Sequence, residues 1–473
     1  MKSSLLGPVL AKEYDVSAGS CLLVRMSLED LRQRVQDVLP GVRANLEDLV
    51  RIESVSADPA RAGEVRRSAE AVADLFAAEG FDARIVSADG GAPAVIARKT
   101  APTGAPTVLL YAHHDVQPEN DLAEWDSPPF EPTERGARLY GRGAADDKAG
   151  IAAHLAAIRA LGDALAVGVT VFVEGEEEIG SESLPALLAQ EKESLASDVI
   201  VIADSTNWDI GVPALTTSLR GLVRADIEVR TLTHAVHSGM WGGLVPDALI
   251  TLARLIATLH DDAGNVAIEG LHSGPAAAVE YPEARLRAES GAVPGIEWIG
   301  SGSVVERLWT KPALSITGLD APQVDGASNT LVAAARAKIS LRIAPGDTTE
   351  NALACLREHL EARVPWGAEF SLTVVDTGEA TAIDADGPAY DVARDAFTQA
   401  WDGVRPVDIG VGGSIPFIAE FLEAFPSASV LVTGVEDPDT RAHGANEGLH
   451  LAEFERVCLA ETLLLANLGR ISP

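Results

Sequence analysis

Four short apolar runs constrain most of what this chain can fold into. Thr107–Ala112, Val169–Val173, Val199–Ala203 and Val430–Thr433 carry near-continuous apolar side chains. Each therefore reads as a strand covered on both faces rather than a half-wet, alternating one. Helical patterns lie before and between them. One runs from Leu28 through Leu31, Val35, Val38, Leu46 and Leu49; another over 66–79 puts Ala71, Val72, Leu75 and Phe76 on one face; Lys148–Leu165 is rich in alanine. The alternation predicts an α/β fold: a mixed, largely parallel sheet flanked by helices. In open sheets of this kind, ligands bind beyond the carboxyl ends of the strands.

The residues expected at those ends are histidines and carboxylates. The segments are Tyr111–Gln117 (with His113, His114 and Asp115), Gly141–Lys148 (Asp146 and Asp147), Glu174–Gly180 (Glu177 and Glu178), Ile202–Asn207 (Asp204) and Arg441–Glu447 (His443). Two imidazoles and several carboxylates at one edge make a ligand set for a two-metal hydrolytic centre. Without thiolates the set favours Zn²⁺, Mn²⁺ or Co²⁺. One residue of separation puts His113 and Asp115 on one side of an extended chain, where Asp115 can accept the second imidazole N–H. His114, between them, points away. Of the adjacent Glu177 and Glu178, one can ligate while the other accepts a proton from water. Each signal is weak alone: paired aspartates also cap helices, and glutamate runs are commonly solvated loops. Their joint occurrence carries the inference.

Composition narrows the alternatives. The 473 residues include 70 Asp and Glu against 37 Lys and Arg, a net charge of −33 that repels nucleic acid and anionic membranes. Three cysteines (Cys21, Cys355, Cys458) cannot build a disulfide framework, which fits a reducing, cytoplasmic location. No run of eighteen apolar residues suggests a membrane span. Met1–Ala11 imitates a signal peptide, but Pro8 breaks the apolar run and Lys12, Glu13 and Asp15 follow at once. Residues 1–26 are expected to form a disordered leader, with Met26 an equally good start for the folded chain.

A second module interrupts the first. Leu222–Arg230 alternates as a strand, and a helix with Leu249, Leu252, Ile256 and Leu259 follows Pro246. A polar, Gly-rich stretch (264–303) comes next, then a strand Ala335–Ile343, a helix Glu350–Arg363 and a strand Glu369–Asp376. The expected organisation is a catalytic domain of 27–216 and 384–473 with an inserted α+β domain of 217–383.

In this order the segments resemble the binuclear metallopeptidase family of the carnosinases, glutamate carboxypeptidase, acetylornithine deacetylase and succinyl-diaminopimelate desuccinylase. The likeness spans about 28–470 and includes Trp125–Phe130, Leu139–Lys148, Glu177–Ser181, His237–Gly243 and Gly412–Pro416. It implies a di-zinc exopeptidase fold whose inserted domain dimerises and acts as a lid. It implies further that Asp146 bridges two divalent ions, Zn²⁺ first and Mn²⁺ or Co²⁺ as alternatives. His113 and Asp204 would complete one ion, Glu178 and His443 the other. Glu177 would be the general base, acting on a water shared by the ions, and Asp115 the partner of His113. His237 would reach the active site of the opposite subunit of a homodimer and hold the substrate carbonyl oxygen. Arg342 would receive a substrate carboxylate, Asn329 would contact substrate, and Ser414 would sit beside the site.

Asp at position 204, the Gly412–Pro416 loop and the long insertion resemble the dipeptidase branch. The expected activity is hydrolysis of dipeptides or short peptides, with N-acyl-amino-acid deacylation as the alternative. One departure is that carnosinase-like members carry a histidine shortly before the final catalytic-domain segment, where this chain has Ala385–Tyr390 without one.

Overall fold

The computed structural model describes residues 26–275, 278–413 and 416–470. The expected leader (save Met26), Cys21 and Ser414 lie outside the described residues. The main sheet runs in the order Asp82–Val86, Ala94–Lys99, Gly168–Glu174, Thr107–His113, Val199–Ile202, Ser429–Val432, Ala214–Leu219, Thr381–Ala382, with Val407–Val411 also pairing Ala214–Leu219. The four strands anticipated from apolar runs are its parallel centre. Both flanks turn antiparallel, at Ala94–Lys99 and at Ala214–Leu219, so the sheet is mixed.

Helices bury this sheet. Leu28–Val50 begins with a reciprocal cap between Ser27 and Asp30 and, with Leu451–Leu468, packs against Lys148–Leu161. Nearly every residue of Lys148–Leu161 is buried, which explains its alanines: larger side chains would not fit between sheet and outer helices. That helix stops short of the expected Leu165, because Gly162 takes φ +50° and turns the chain out. Elsewhere, Phe417 stacks on Tyr111 with ring centroids 4.5 Å apart, and Phe421 packs edge-on against the same ring. No helix among the described residues is long and apolar enough to cross a membrane.

A second, antiparallel sheet has the order Ala313–Asp320, Ala334–Ile343, Gly221–Arg230, Glu369–Gly378. Val223, Ile227 and Val229 alternate inward and share a separate core with Leu252 and Leu255 of helix Ala248–Ala257 and Leu356 and Leu360 of helix Thr349–Glu361. The Gly-rich stretch carries a short helix, Glu283–Ser290, and the segment behind it docks Val305 and Trp309 on Ala214 and Ile409 of the main sheet. Arg220 is the single residue between the last position of the main-sheet strand Ala214–Leu219 and the first of Gly221–Arg230.

Candidate metal centre

His113 is the last residue of its strand, so its ring leaves the sheet at the carboxyl edge. Its Nδ1 lies 3.0 Å from the Asp115 main-chain carbonyl and 3.4 Å from the Asp115 carboxylate. Both partners accept, which places the proton on Nδ1 and leaves Nε2 free to ligate. The Asp115 carboxylate has a second task the sequence did not suggest: it accepts the main-chain N–H groups of Glu177 and Glu178, each at 3.2 Å. One buried aspartate thus orients the histidine and the glutamate loop together. His114 turns away, its Nε2 2.8 Å from the Pro93 carbonyl.

Asp146 joins the two halves of the site. Its Oδ1 is 3.1 Å from His113 Nε2, and its Oδ2 is 3.1 Å from His443 Nε2. Asp204 Oδ2 lies 4.0 Å from His113 Nε2, and Glu178 Oε2 3.2 Å from His443 Nε2. Two trios result, His113–Asp146–Asp204 and Asp146–Glu178–His443, each with its ligand atoms within 4.8 Å of one another. Glu178 is further held by Gln117, whose main-chain N–H and side-chain amide donate at 2.9 and 2.7 Å. Glu177 belongs to neither trio. Its Oε2 stands 4.0 Å from His113 Nε2, and its carboxylate has no hydrogen bond among the described residues. Asp147 folds back instead, accepting the His113 main-chain N–H at 3.3 Å.

The electrostatics fit a site built for cations. Burial, then the neighbouring Asp204 charge, pushes Asp147 and Glu177 well above the carboxylate range. Burial likewise raises Asp204 to about 7. Glu436 joins them, raised by burial and by Asp146 and Asp204. Conversely, hydrogen bonds to Asp146 and Glu178 hold the His443 imidazolium up to about 11. So many carboxylates in one buried place require positive charge, and carboxylate–imidazole donors without sulfur suit two divalent ions. Neither Glu436 nor Glu447 carries a local sequence signal of a role. Glu447 stands in the quoted Arg441–Glu447 segment, but nothing local reveals that its carboxylate accepts four hydrogen bonds from the Asp146 turn.

The expected substrate contacts are placed differently. His237 pairs with Thr330 at the start of a short helical turn, and the Ser238 N–H donates to the Asn329 carbonyl at 2.8 Å. His237 and Asn329 are thus neighbours, both exposed, and neither forms a hydrogen bond or ion pair with the five residues of the two trios in its own chain. Arg342 lies half-buried on the polar face of the inserted sheet, opposite Leu222.

A mixed α/β sheet presenting two carboxylate–imidazole trios at its edge defines an enzyme of the metal-dependent hydrolase class. The chain belongs to peptidase family M20/M25/M40, whose model matches residues 109–467. It is 34% identical over 385 residues to a cysteinylglycine-S-conjugate dipeptidase of Corynebacterium striatum, covering 80% of this chain and 85% of that one. It is 30% identical to a beta-Ala-His dipeptidase of Rattus norvegicus, with 76% of each chain covered. The crystal structure of human carnosine dipeptidase 1 superposes with a TM-score of 0.75 at 25% identity, covering 94% of this chain and 99% of that one.

Proposed function

We propose that the protein is a di-metal dipeptidase, and the observation that carries this reading is the division of the Asp146 carboxylate between His113 and His443. Asp146 holds both ions, His113 and Asp204 complete one, and Glu178 and His443 the other; Zn²⁺ suits the donors best, with Mn²⁺ and Co²⁺ as alternatives. Two such ions, when bound, polarise the scissile carbonyl and make water a usable nucleophile near neutral pH. Glu177, raised in pKa and with no hydrogen bond to its carboxylate among the described residues, takes the proton of the attacking water and returns it to the leaving amine. Asp115 keeps His113 and Glu177 in register with each other. Arg342 pairs with the substrate's terminal carboxylate, and Asn329, beside His237, contacts substrate together with it.

His237 makes no hydrogen bond or ion pair with the two trios of its own chain among the described residues, which supports the reading that it serves a second copy. The surface around it supports a homodimer: Met240 is 74% exposed and Leu244 81%, with Trp241 and Ile250 beside them. In that arrangement 217–383 is a dimerising lid over a catalytic unit of 27–216 and 384–473, and His237 of the second copy holds the carbonyl oxygen. The scarcity of cysteine supports a cytoplasmic setting. Dipeptides are preferred over N-acyl amino acids because both relatives named above at 30% identity or more are dipeptidases.

Metal analysis combined with a substrate panel tests the reading. The protein is expected to hold close to two ions per chain and to cleave dipeptides faster than N-acyl amino acids. Asp146→Ala is expected to lose both ions; two tight ions in that variant, or a clear preference for acyl substrates, would overturn it.

A further inference from the structure

The polar face of the inserted sheet matches its cations to carboxylates almost throughout. Lys338 pairs with Asp226 at 2.7 Å, Arg336 with Asp320 at 2.8 Å, Arg230 with Glu228 at 3.1 Å and Arg224 with Asp376 at 3.6 Å. The matching stops at the end next to the main sheet. Arg342 and Arg220 have no carboxylate within ion-pair distance among the described residues. They are close: Arg342 sits opposite Leu222, two residues beyond Arg220, and its charge acts on the Arg220 guanidinium. Against the four matched cations of this face, two neighbouring arginines without a carboxylate break the pattern.

Arg220 is the more telling of the two because it is buried, at 8% exposure. Its Nε–H donates to the Gly412 carbonyl and its Nη1–H to the Arg307 carbonyl, both at 3.3 Å. Two carbonyl dipoles satisfy hydrogen bonds but do not neutralise a desolvated cation. A side chain at position 412 would place its Cβ 3.0 Å from Arg220 Nη2, so the glycine lets the loop backbone lie against the guanidinium. Burial first, and then Arg342, lowers Arg220 to about 10, the response of a cation facing another with no anion between them.

We propose that Arg220 is a specificity-determining residue that forms, with Arg342, a two-cation pocket for the free C-terminal carboxylate of the substrate. This rests on the dipeptidase reading and adds a second, buried cation at the junction of the two sheets. One carboxylate placed between the guanidiniums removes their mutual repulsion, which an amidated terminus cannot do. The same bond to Gly412 ties the filled pocket to the Gly412–Gly413 loop, so a carboxylate is read by both sheets at once.

The test uses metal-loaded Arg220→Gln and Arg220→Lys proteins with one dipeptide and its C-terminal amide. Arg220→Gln is expected to raise KM for the free peptide about tenfold or more, with kcat little changed and the amide affected less than about twofold. Arg220→Lys, keeping the charge, is expected to recover most of that loss. Equal losses on both peptides in both variants would make Arg220 a structural tie and overturn the proposal. A second measurement does not need turnover: the melting temperature of the metal-loaded protein with glycine or glycinamide. Glycine alone is expected to raise it in the wild type, and Arg220→Gln to abolish the rise. No rise in the wild type, or an unchanged rise in the variant, also overturns the pocket. If the wild type cleaves neither peptide, the dipeptidase reading has failed by itself, and the glycine measurement still decides the role of Arg220.

Discussion

Arg142 and Glu447, 305 positions apart, form a 2.8 Å ion pair in which neither side chain is more than 1% exposed. Glu447 also accepts the main-chain N–H groups of Gly143, Ala145 and Asp146 at 3.0, 2.9 and 3.1 Å. One carboxylate from the Arg441–Glu447 loop therefore fixes the turn that presents Asp146.

Removing that charge isolates the arginine. Glu447→Gln is expected to cost about 3 kcal/mol or more, the usual consequence of stranding one partner of a buried pair. It should also lower metal occupancy by loosening the Asp146 turn. Chemical denaturation with metal analysis on the same samples checks both; unchanged stability would mean that the Asp146 turn does not depend on this pair.

The neighbouring glutamates should separate by function. Glu177→Gln is expected to retain both ions yet lose activity by about 100- to 10,000-fold, the span of a missing general base. Glu178→Gln is expected to weaken one ion, because the carboxylate lies 3.2 Å from His443 Nε2 in the second trio. Metal titration of both variants would expose a reversed assignment.

Metal loading should invert the pH dependence of stability. Without ions, His443 is raised to about 11 by its bonds to Asp146 and Glu178. Burial alone would lower His113, but Asp115 and Asp146 outweigh it and raise it well above its ordinary value. Folded metal-free protein therefore keeps protons that the unfolded chain releases near about 6.5. That stabilisation is complete below the unfolded value and is lost as pH rises through the folded one, so the metal-free protein weakens toward alkaline pH. The loaded protein binds its ligands deprotonated and should instead gain stability as pH rises from acid. Melting curves of both forms across the range check this; parallel slopes would argue against imidazole ligation.

Subunit mixing examines His237. Chains carrying His237→Ala and chains carrying Glu177→Gln are each expected to be nearly inactive. Exchanged into mixed dimers, they should regain activity, since one site combines an intact Glu177 with the other copy's His237. No recovery after verified exchange would place the whole site in one chain.

Much of this was legible because strand ends and ligand types coincide. The parallel strands ending near His113, Glu177 and Asp204 needed only apolar runs and the geometry of open sheets to be placed at one edge. The antiparallel pair Asp82–Val86 and Ala94–Lys99 was not read: the edge strand Asp82–Val86 buries no residue fully, and the buried part of its partner, Ala94–Ala97, is an apolar run too short to tell strand from helix. Glu447, Glu436 and the second duty of Asp115 stayed hidden for another reason. Their meaning lies in partners distant along the chain, which no local periodicity encodes. Arg220 was overlooked because an arginine beside a glycine looks like any other junction until its missing counter-charge can be seen.

The dependence of Asp146 on Glu447 also sets an order in time. A ribosome makes His113, Asp146 and Glu178 long before it makes His443 and the anchor that steadies the Asp146 turn. Until that loop emerges, the nascent polypeptide holds an incomplete set of the proposed ligands and an Asp146 turn without its anchor. As proposed, the enzyme thus gains its activity only once the loop carrying His443 and Glu447 has been made and has closed on the Asp146 turn.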